Sequence, residues 1–298
     1  MVPVGLEHAT DGELRLRWQD LGRFHCYDGF FDSGLDRMRA MLGGDPPGIT
    51  STLAALDSLP LDDCIAPTGL IFHTGRCGST LLAKVLARSR RNIVVGEASV
   101  HNAFWNLLPG RGDREIEQFR RLVLAMGRRR LETYSGHIVK FTSYNVLRHS
   151  AIRSSFPDTP TIFLFREPQA TLDSIHASPP GFIQSGGIAE FRFPSPEQML
   201  EDYMEAALAI PDTGMRVLDY SHLKPQFLPA ILDWFRQKPD PAELRQMLSE
   251  FDWDAKGGIG ARFVGKQRAQ RGVVSPRHLE LYTALRDRAK RDWPELPQ

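Results

Sequence analysis

The chain has 298 residues, 42% of them hydrophobic and 24% charged, with 37 Lys and Arg against 36 Asp and Glu for a formal net charge of +1. Such proportions describe a folded globular protein, long enough for one large α/β domain or two small ones. The near-neutral balance excludes a protein that coats nucleic acid through bulk charge, while leaving room for a local basic pocket.

Cys26, Cys64 and Cys77 have no metal-ligand spacing and leave one cysteine over in any disulfide scheme, the usage of a reducing compartment. Acidic residues interrupt the N-terminus before any apolar run of signal-peptide type. No stretch approaches the roughly 20 apolar residues of a membrane span. The expectation is a cytoplasmic protein with no integral membrane segment.

In chain order, residues 1–65 carry an aromatic-rich patch from Phe24 to Phe31 and a helix predicted near 33–42. The turn cluster Asp45-Pro46-Pro47-Gly48 and a short helical run through Leu56 follow. Aromatics at this density are expected to bury against a neighbouring domain. From residue 69 the pattern changes. Gly69–His73 is a short apolar run consistent with a buried strand, ended at once by a glycine-rich turn. Residues 79–88 then place Leu81, Leu82, Val85 and Leu86 on one helical face.

A second strand is predicted at 92–95, ending in Gly96-Glu97, and a polar-faced helix over 114–133. Its run Arg128-Arg129-Arg130 reads as a solvated face. Further strands fall at 137–141, 161–165 and 215–220, with helices from 169, near 226–237 and over 241–251. Strands separated by helices imply βαβ units: an α/β fold of three layers, a mostly parallel central sheet with helices on both faces. Ligands of such sheets bind at the C-terminal ends of the strands. The Gly- and Arg-rich segment 256–278 reads as a binding loop or a solvated tail.

A strand feeding a glycine turn that opens a helix is the physical recipe for phosphate binding, because glycine admits the anion and the helix amides point at it. Thr74, Gly75, Arg76, Cys77, Gly78, Ser79 and Thr80 supply that turn. The triphosphatase pattern needs Gly-Lys-Ser/Thr, and here Ser79 stands in the lysine position. The basic residue is Arg76, two places before Gly78.

The run from Phe72 to Leu82 resembles the 5′-phosphosulfate loop of sulfotransferases that use 3′-phosphoadenosine-5′-phosphosulfate (PAPS). That loop reads Arg/Lys-x-Gly-Ser/Thr-Thr, and Arg76, Gly78, Ser79 and Thr80 match it. A second match is the strand Thr161–Phe165 followed by Arg166-Glu167-Pro168, with Ser174 eight residues after Arg166. It resembles the family's 3′-phosphate motif, where a guanidinium fork and a hydroxyl hold the phosphate. The competing reading of Arg166 is a surface ion pair with Glu167 or Asp173.

Glu97 is similar to the glutamate that tyrosyl-protein and some bacterial sulfotransferases carry as general base. The cytosolic branch instead has a histidine two residues after a lysine on the next strand; here Lys140 matches the lysine and Thr142 stands in the histidine position. A structural role for Glu97 at a helix start competes with the catalytic one. His73 and His101 are alternative bases, each read first as structural.

The resemblance covers about residues 68–235. It implies a P-loop, nucleotide-kinase-like domain over 68–298; residues 1–67, which the resemblance does not cover, are expected to form an extension of unknown role packed on the core. The implied reaction moves a sulfuryl group from PAPS to a hydroxyl or amine. Glu97 would act as base, with Arg76 and Lys140 stabilising charge and no metal taking part. The acceptor stays open among small molecule, lipid, sugar and peptide, and so does an oligomer. Aromatics such as Phe104, Trp105 and Phe182 are read as core before acceptor pocket. The alternatives are a P-loop kinase or nucleotide phosphotransferase, and a non-catalytic protein that binds adenosine bisphosphate.

Overall fold

The computed structural model describes residues 1–108, 110, 112–184, 191, 193–211, 213–253 and 271–294. Gly186, Gly187 and most of the basic segment, residues 256–270, lie outside the described residues.

The chain opens with strands β1 (Val2–His8) and β2 (Leu14–Gln19), helix α1 (Phe31–Leu42) and strand β3 (Gly48–Thr52). The strands form an antiparallel meander in the order β1-β2-β3. The sequence reading foresees no strand here, although Leu14, Leu16 and Trp18 alternate with Arg15 and Arg17 in the period-two pattern of a half-buried strand.

The central sheet begins with β4 (Gly69–His73), which leads into α2 (Ser79–Ala87). Next come β5 (Asn92–Gly96), α3 (Ser99–Leu107), α4 (Asp113–Met126) and β6 (Gly136–Lys140). They are followed by α5 (His149–Ser155), β7 (Thr161–Phe165), α6 (Pro168–Ala177) and α7 (Gly181–Gln184). The chain continues through α8 (Pro196–Ala209), β8 (Arg216–Asp219), α9 (Leu228–Trp234), α10 (Pro241–Ser249) and α11 (Pro276–Asp292).

The sheet order is β5-β6-β4-β7-β8, and every neighbouring pair is parallel. The chain leaves the central strand β4 for β5 on one side and later adds β7 and β8 on the other. The C-terminal end of β4 is therefore the topological switch point where open α/β sheets bind ligands.

Strand alternation splits the core into two layers. Leu70, Phe72, Val95, Val139, Phe163 and Phe165 face a core that includes residues of α3, α4, α6 and α8. Ile71, Val94, Ile138, Ile162 and Leu164 face the other way, onto Leu82, Val85 and Leu86 of α2 and Ile231 of α9. This is the three-layer α/β arrangement that the sequence implies. Val4, Leu16, Trp18 and Leu35 of the N-terminal region join the first of these cores.

Two expectations need correcting. Helix α4 ends at Met126, so Arg128–Arg130 is not a solvated helix face. Arg128 donates to Pro60 O and Arg130 to Phe24 O, tying this segment to the N-terminal region. The last residues of the segment read as loop or tail, 276–278, belong instead to α11, whose start is marked by the cap Ser275 and by Pro276 at the first helical position. No described helix is long and apolar enough to cross a membrane.

Candidate functional site

Between His73 and α2 the backbone turns sharply: Gly75 (φ 80°), Arg76 (φ 53°) and Gly78 (φ 86°) all lie in the left-handed region. Glycine adopts that region freely, whereas a residue such as Arg76 is held there at a cost on the order of 1–3 kcal/mol, a strain that clusters at ligand sites. Gly78 also lacks room for a side chain, since a Cβ would lie 2.8 Å from Tyr220 and Leu223. Helix α2 starts without a side-chain cap. A helix N-terminus wrapped by such a turn is an anion-binding nest. Cys77 fixes the turn to the sheet by donating from Sγ to Leu164 O at 3.2 Å.

The strand ends next to this loop bring Glu97 and Lys140 together. Glu97 follows β5 and is itself in the left-handed region, φ 48°. Its N–H donates to Lys140 O at 2.6 Å, and Lys140 Nζ donates to Glu97 Oε1 at 2.7 Å. Lys140 is fully buried. Burial by itself pushes the Glu97 carboxyl upward. The Lys140 ammonium, and then the His73 contact, outweigh it and hold the group well below the ordinary carboxylate value of 4.5. Glu97 is therefore ionised at neutral pH.

His73 completes this cluster. Gly75 N–H donates to His73 Nδ1 at 2.9 Å, which leaves the ring proton on Nε2. That atom lies 3.4 Å from Glu97 Oε1. The glycine turn and the carboxylate thus share one imidazole as a neighbour.

On the other side of β4, Arg166 follows β7. Its Nη1 lies 3.4 Å from Arg76 O, and its guanidinium sits 4.6 Å from the centre of the Tyr220 ring. The carboxylates proposed as its surface partners are engaged elsewhere. Glu167 caps α6 through Gln169 N and Ala170 N. Asp173 accepts from the N–H groups of Arg271 and Gly272. Ser174 is buried on α6. The Arg76 guanidinium reaches the end of that helix, donating to the carbonyl and hydroxyl of Ser178.

The loop from Thr74 to Thr80, Glu97, Lys140 and Arg166 therefore gather at the C-terminal edge of one sheet, with Ser174 on the adjoining helix. The alternative base His101 sits elsewhere: it is fully buried, its ring nitrogens have no hydrogen-bond partner among the described residues, and it packs on Phe119 and Phe141. Thr142 accepts from Asn102 Nδ2 at 2.9 Å, a structural tie between β6 and α3. Phe104 and Trp105 are core. Phe182 is half-buried against Tyr144.

The residues missed by sequence reasoning are Gly29, Phe30 and Asp32. The Phe30 ring centre lies 4.4 Å from Lys140 Nζ. A Cβ on Gly29 would meet Thr80 Cγ2 at 2.4 Å, and one on Gly96 would meet Gly29 O at 2.2 Å. Asp32 accepts from the N–H and Oγ of Ser99, both at 3.0 Å, at the start of α3. The available signal was the glycine inside the aromatic patch, which marks a close backbone approach rather than plain packing.

Fold and site together define a parallel α/β protein with a left-handed glycine turn opening an uncapped helix at its switch point. No protein-family model and no curated protein matches the chain. Among solved structures it is similar to the sulfotransferase STF1 of Mycobacterium tuberculosis, at 12% identity over 66% of this chain and 74% of that one, with a TM-score of 0.39. It is also similar to the sulfotransferase domain of the curacin biosynthetic pathway, at 16% identity over 79% and 93%, TM-score 0.40. A third is mouse sulfotransferase SULT7A1 complexed with PAP, at 14% identity over 80% and 91%, TM-score 0.38. At that distance the chemistry has to be read from this chain's own residues.

Proposed function

We propose that the protein is a sulfotransferase that moves a sulfuryl group from PAPS to an acceptor hydroxyl or amine. One observation carries the reading: a left-handed glycine turn at a helix start, a carboxylate with a buried lysine, and an arginine followed by a serine-bearing helix lie along one sheet edge. A simple phosphate-binding protein needs only the first of these. The sequence motifs at Arg76–Thr80 and at Arg166 with Ser174 support the identity of the donor.

In this reading Ser79, Thr80 and the loop amides hold the 5′-phosphate, and Arg166 with Ser174 holds the 3′-phosphate. The acceptor oxygen or nitrogen attacks sulfur in line. A new bond to sulfur forms as the bond from sulfur to the bridging oxygen breaks, and the electron pair stays on the 5′-phosphate. Arg76 and Lys140 stabilise the charge that gathers on the bridging oxygen. Glu97, ionised at neutral pH, takes the acceptor's proton, a contribution on the order of 10²–10⁴ in rate. Its pairing with Lys140 makes it a weak base until the donor's anionic phosphosulfate shares the Lys140 charge. The products are adenosine 3′,5′-bisphosphate and the sulfated acceptor.

Ser79 in the lysine position weighs against magnesium-dependent chemistry on a nucleoside triphosphate. The test is a side-by-side binding measurement of PAPS, adenosine 3′,5′-bisphosphate and ATP, followed by acceptor screening with labelled PAPS. Tighter binding of the two 3′-phosphorylated nucleotides and labelled product are expected; preference for ATP overturns the reading.

A further inference from the structure

The N-terminal segment touches Thr80 at the start of α2, the backbone beside Glu97 and the Lys140 ammonium. Gly29 lies against Thr80 of α2 and against Gly96 beside the carboxylate, with no space for a side chain at either glycine. Asp32 holds the start of α3 through Ser99, two residues beyond Glu97. Between them Phe30 lays its ring 4.4 Å from the Lys140 ammonium. Lys140 thus has a carboxylate at 2.7 Å and an aromatic face as neighbours, in a position fully removed from solvent.

We infer that Phe30 is a positioning residue for Lys140, and that residues 29–32 form a wall of the reaction site rather than an appendage to the fold. This rests on the sulfuryl-transfer reading for its catalytic consequence, but not for the contact itself. A desolvated ammonium gains from the quadrupole of a ring face, and the gain is directional: it disappears with an aliphatic side chain of similar bulk. Glu97 alone fixes one end of the lysine's reach. The ring fixes a second side, so that the flexible four-carbon stem keeps the charge beside Glu97. Gly29 and Gly96 let the two backbones approach closely enough for the ring to get there.

Two measurements separate positioning from packing. In protein carrying carbon-13 lysine, the ε-methylene resonances of Lys140, assigned with Lys140→Arg, are expected at ring-current-shifted positions. Phe30→Leu returns them toward ordinary values, and Phe30→Tyr keeps them shifted. In turnover with PAPS, Phe30→Leu lowers kcat by about 30-fold, the size of a desolvated cation–π contact. KM for PAPS stays within about two-fold, since the effect lies in the transition state. Phe30→Tyr and Phe30→Trp restore kcat.

Unmoved Lys140 resonances in Phe30→Leu overturn the inference, as does a folded Phe30→Leu protein with wild-type kcat. So does a Phe30→Tyr protein as slow as Phe30→Leu. Should the wild-type protein transfer no sulfuryl group, the functional reading fails, while the resonances still decide whether Phe30 positions Lys140.

Discussion

Lys140 Nζ and Glu97 Oε1 lie 2.7 Å apart at the ends of adjacent parallel strands, with the lysine fully buried and the carboxylate side chain 19% exposed. The pairing explains how a cation is tolerated there. Breaking such a pair from one side costs about 3–5 kcal/mol, because the other charge is left buried without its counterion. Glu97→Gln is therefore expected to destabilise the protein as well as to slow sulfuryl transfer by about 10²–10⁴-fold. Urea unfolding and turnover on the same preparation check both. The stability part is contradicted by an unchanged unfolding free energy.

Arg76 behaves differently under substitution. Its left-handed backbone, φ 53°, is one that glycine adopts without strain, so Arg76→Gly removes strain along with the guanidinium. Stability is expected to change by no more than about 1 kcal/mol, because the lost bonds to Ser178 are exposed ones. Transfer is expected to fall by roughly 100-fold or more, the scale of a lost oxyanion-type donor. Stability and activity that collapse together would count against the separation.

Gly96→Ala tests the close approach of the N-terminal segment. The added Cβ would meet Gly29 O at 2.2 Å. That contact involves backbone and has no side chain to swing aside, so a loss of about 1–3 kcal/mol is expected from overpacking. Chemical denaturation reads it. A neutral Gly96→Ala would mean that the segment yields easily and is not a wall of the site.

His101 gives a pH prediction. Burial holds its pKa down to about 3 and, with the backbone of Ile65 acting in the opposite sense, that of His137 down to about 4, against an ordinary value of 6.5. Below pH 6.5 the unfolded chain takes up protons that the folded chain refuses. Stability is thus lost as pH falls from 6.5 toward the folded values, at about 1.4 kcal/mol per pH unit for each ring. His101→Phe also removes two buried nitrogens that have no hydrogen-bond partner among the described residues. The variant is expected to gain about 1 kcal/mol at pH 7 and to retain about 2 kcal/mol more than wild type on going to pH 5. Equal pH slopes for the two proteins contradict this.

The parallel sheet was legible because its strands are short apolar runs, each ended by glycine or charge, and the loop was legible because Gly75 and Gly78 interrupt such a run. The approach of Arg166 to the loop follows from β7 lying beside β4, which the order of predicted elements does not fix by itself. The ion pair of Glu97 with Lys140 was hidden for a similar reason: β5 and β6 are neighbours only in space. The N-terminal contribution was missed because its signal is a single glycine among aromatics. Phe30 sits at the start of α1, and its partner Lys140 lies far along the chain, so that no local pattern links the two. Helix α11 was missed because its charged residues outnumber the buried Leu281, Leu285 and Ala289.

The most direct test of the central claim is single-turnover transfer of sulfur-35 from labelled PAPS across a panel of hydroxyl and amine acceptors, comparing wild type with Glu97→Gln and Arg166→Ala. Labelled product from wild type is expected, with Glu97→Gln slowed at the transfer step. Arg166→Ala is expected to bind adenosine 3′,5′-bisphosphate roughly 10–100-fold more weakly, the range for a lost charge-assisted contact. Equal transfer by all three proteins, or ATP bound in preference to PAPS, would contradict the account.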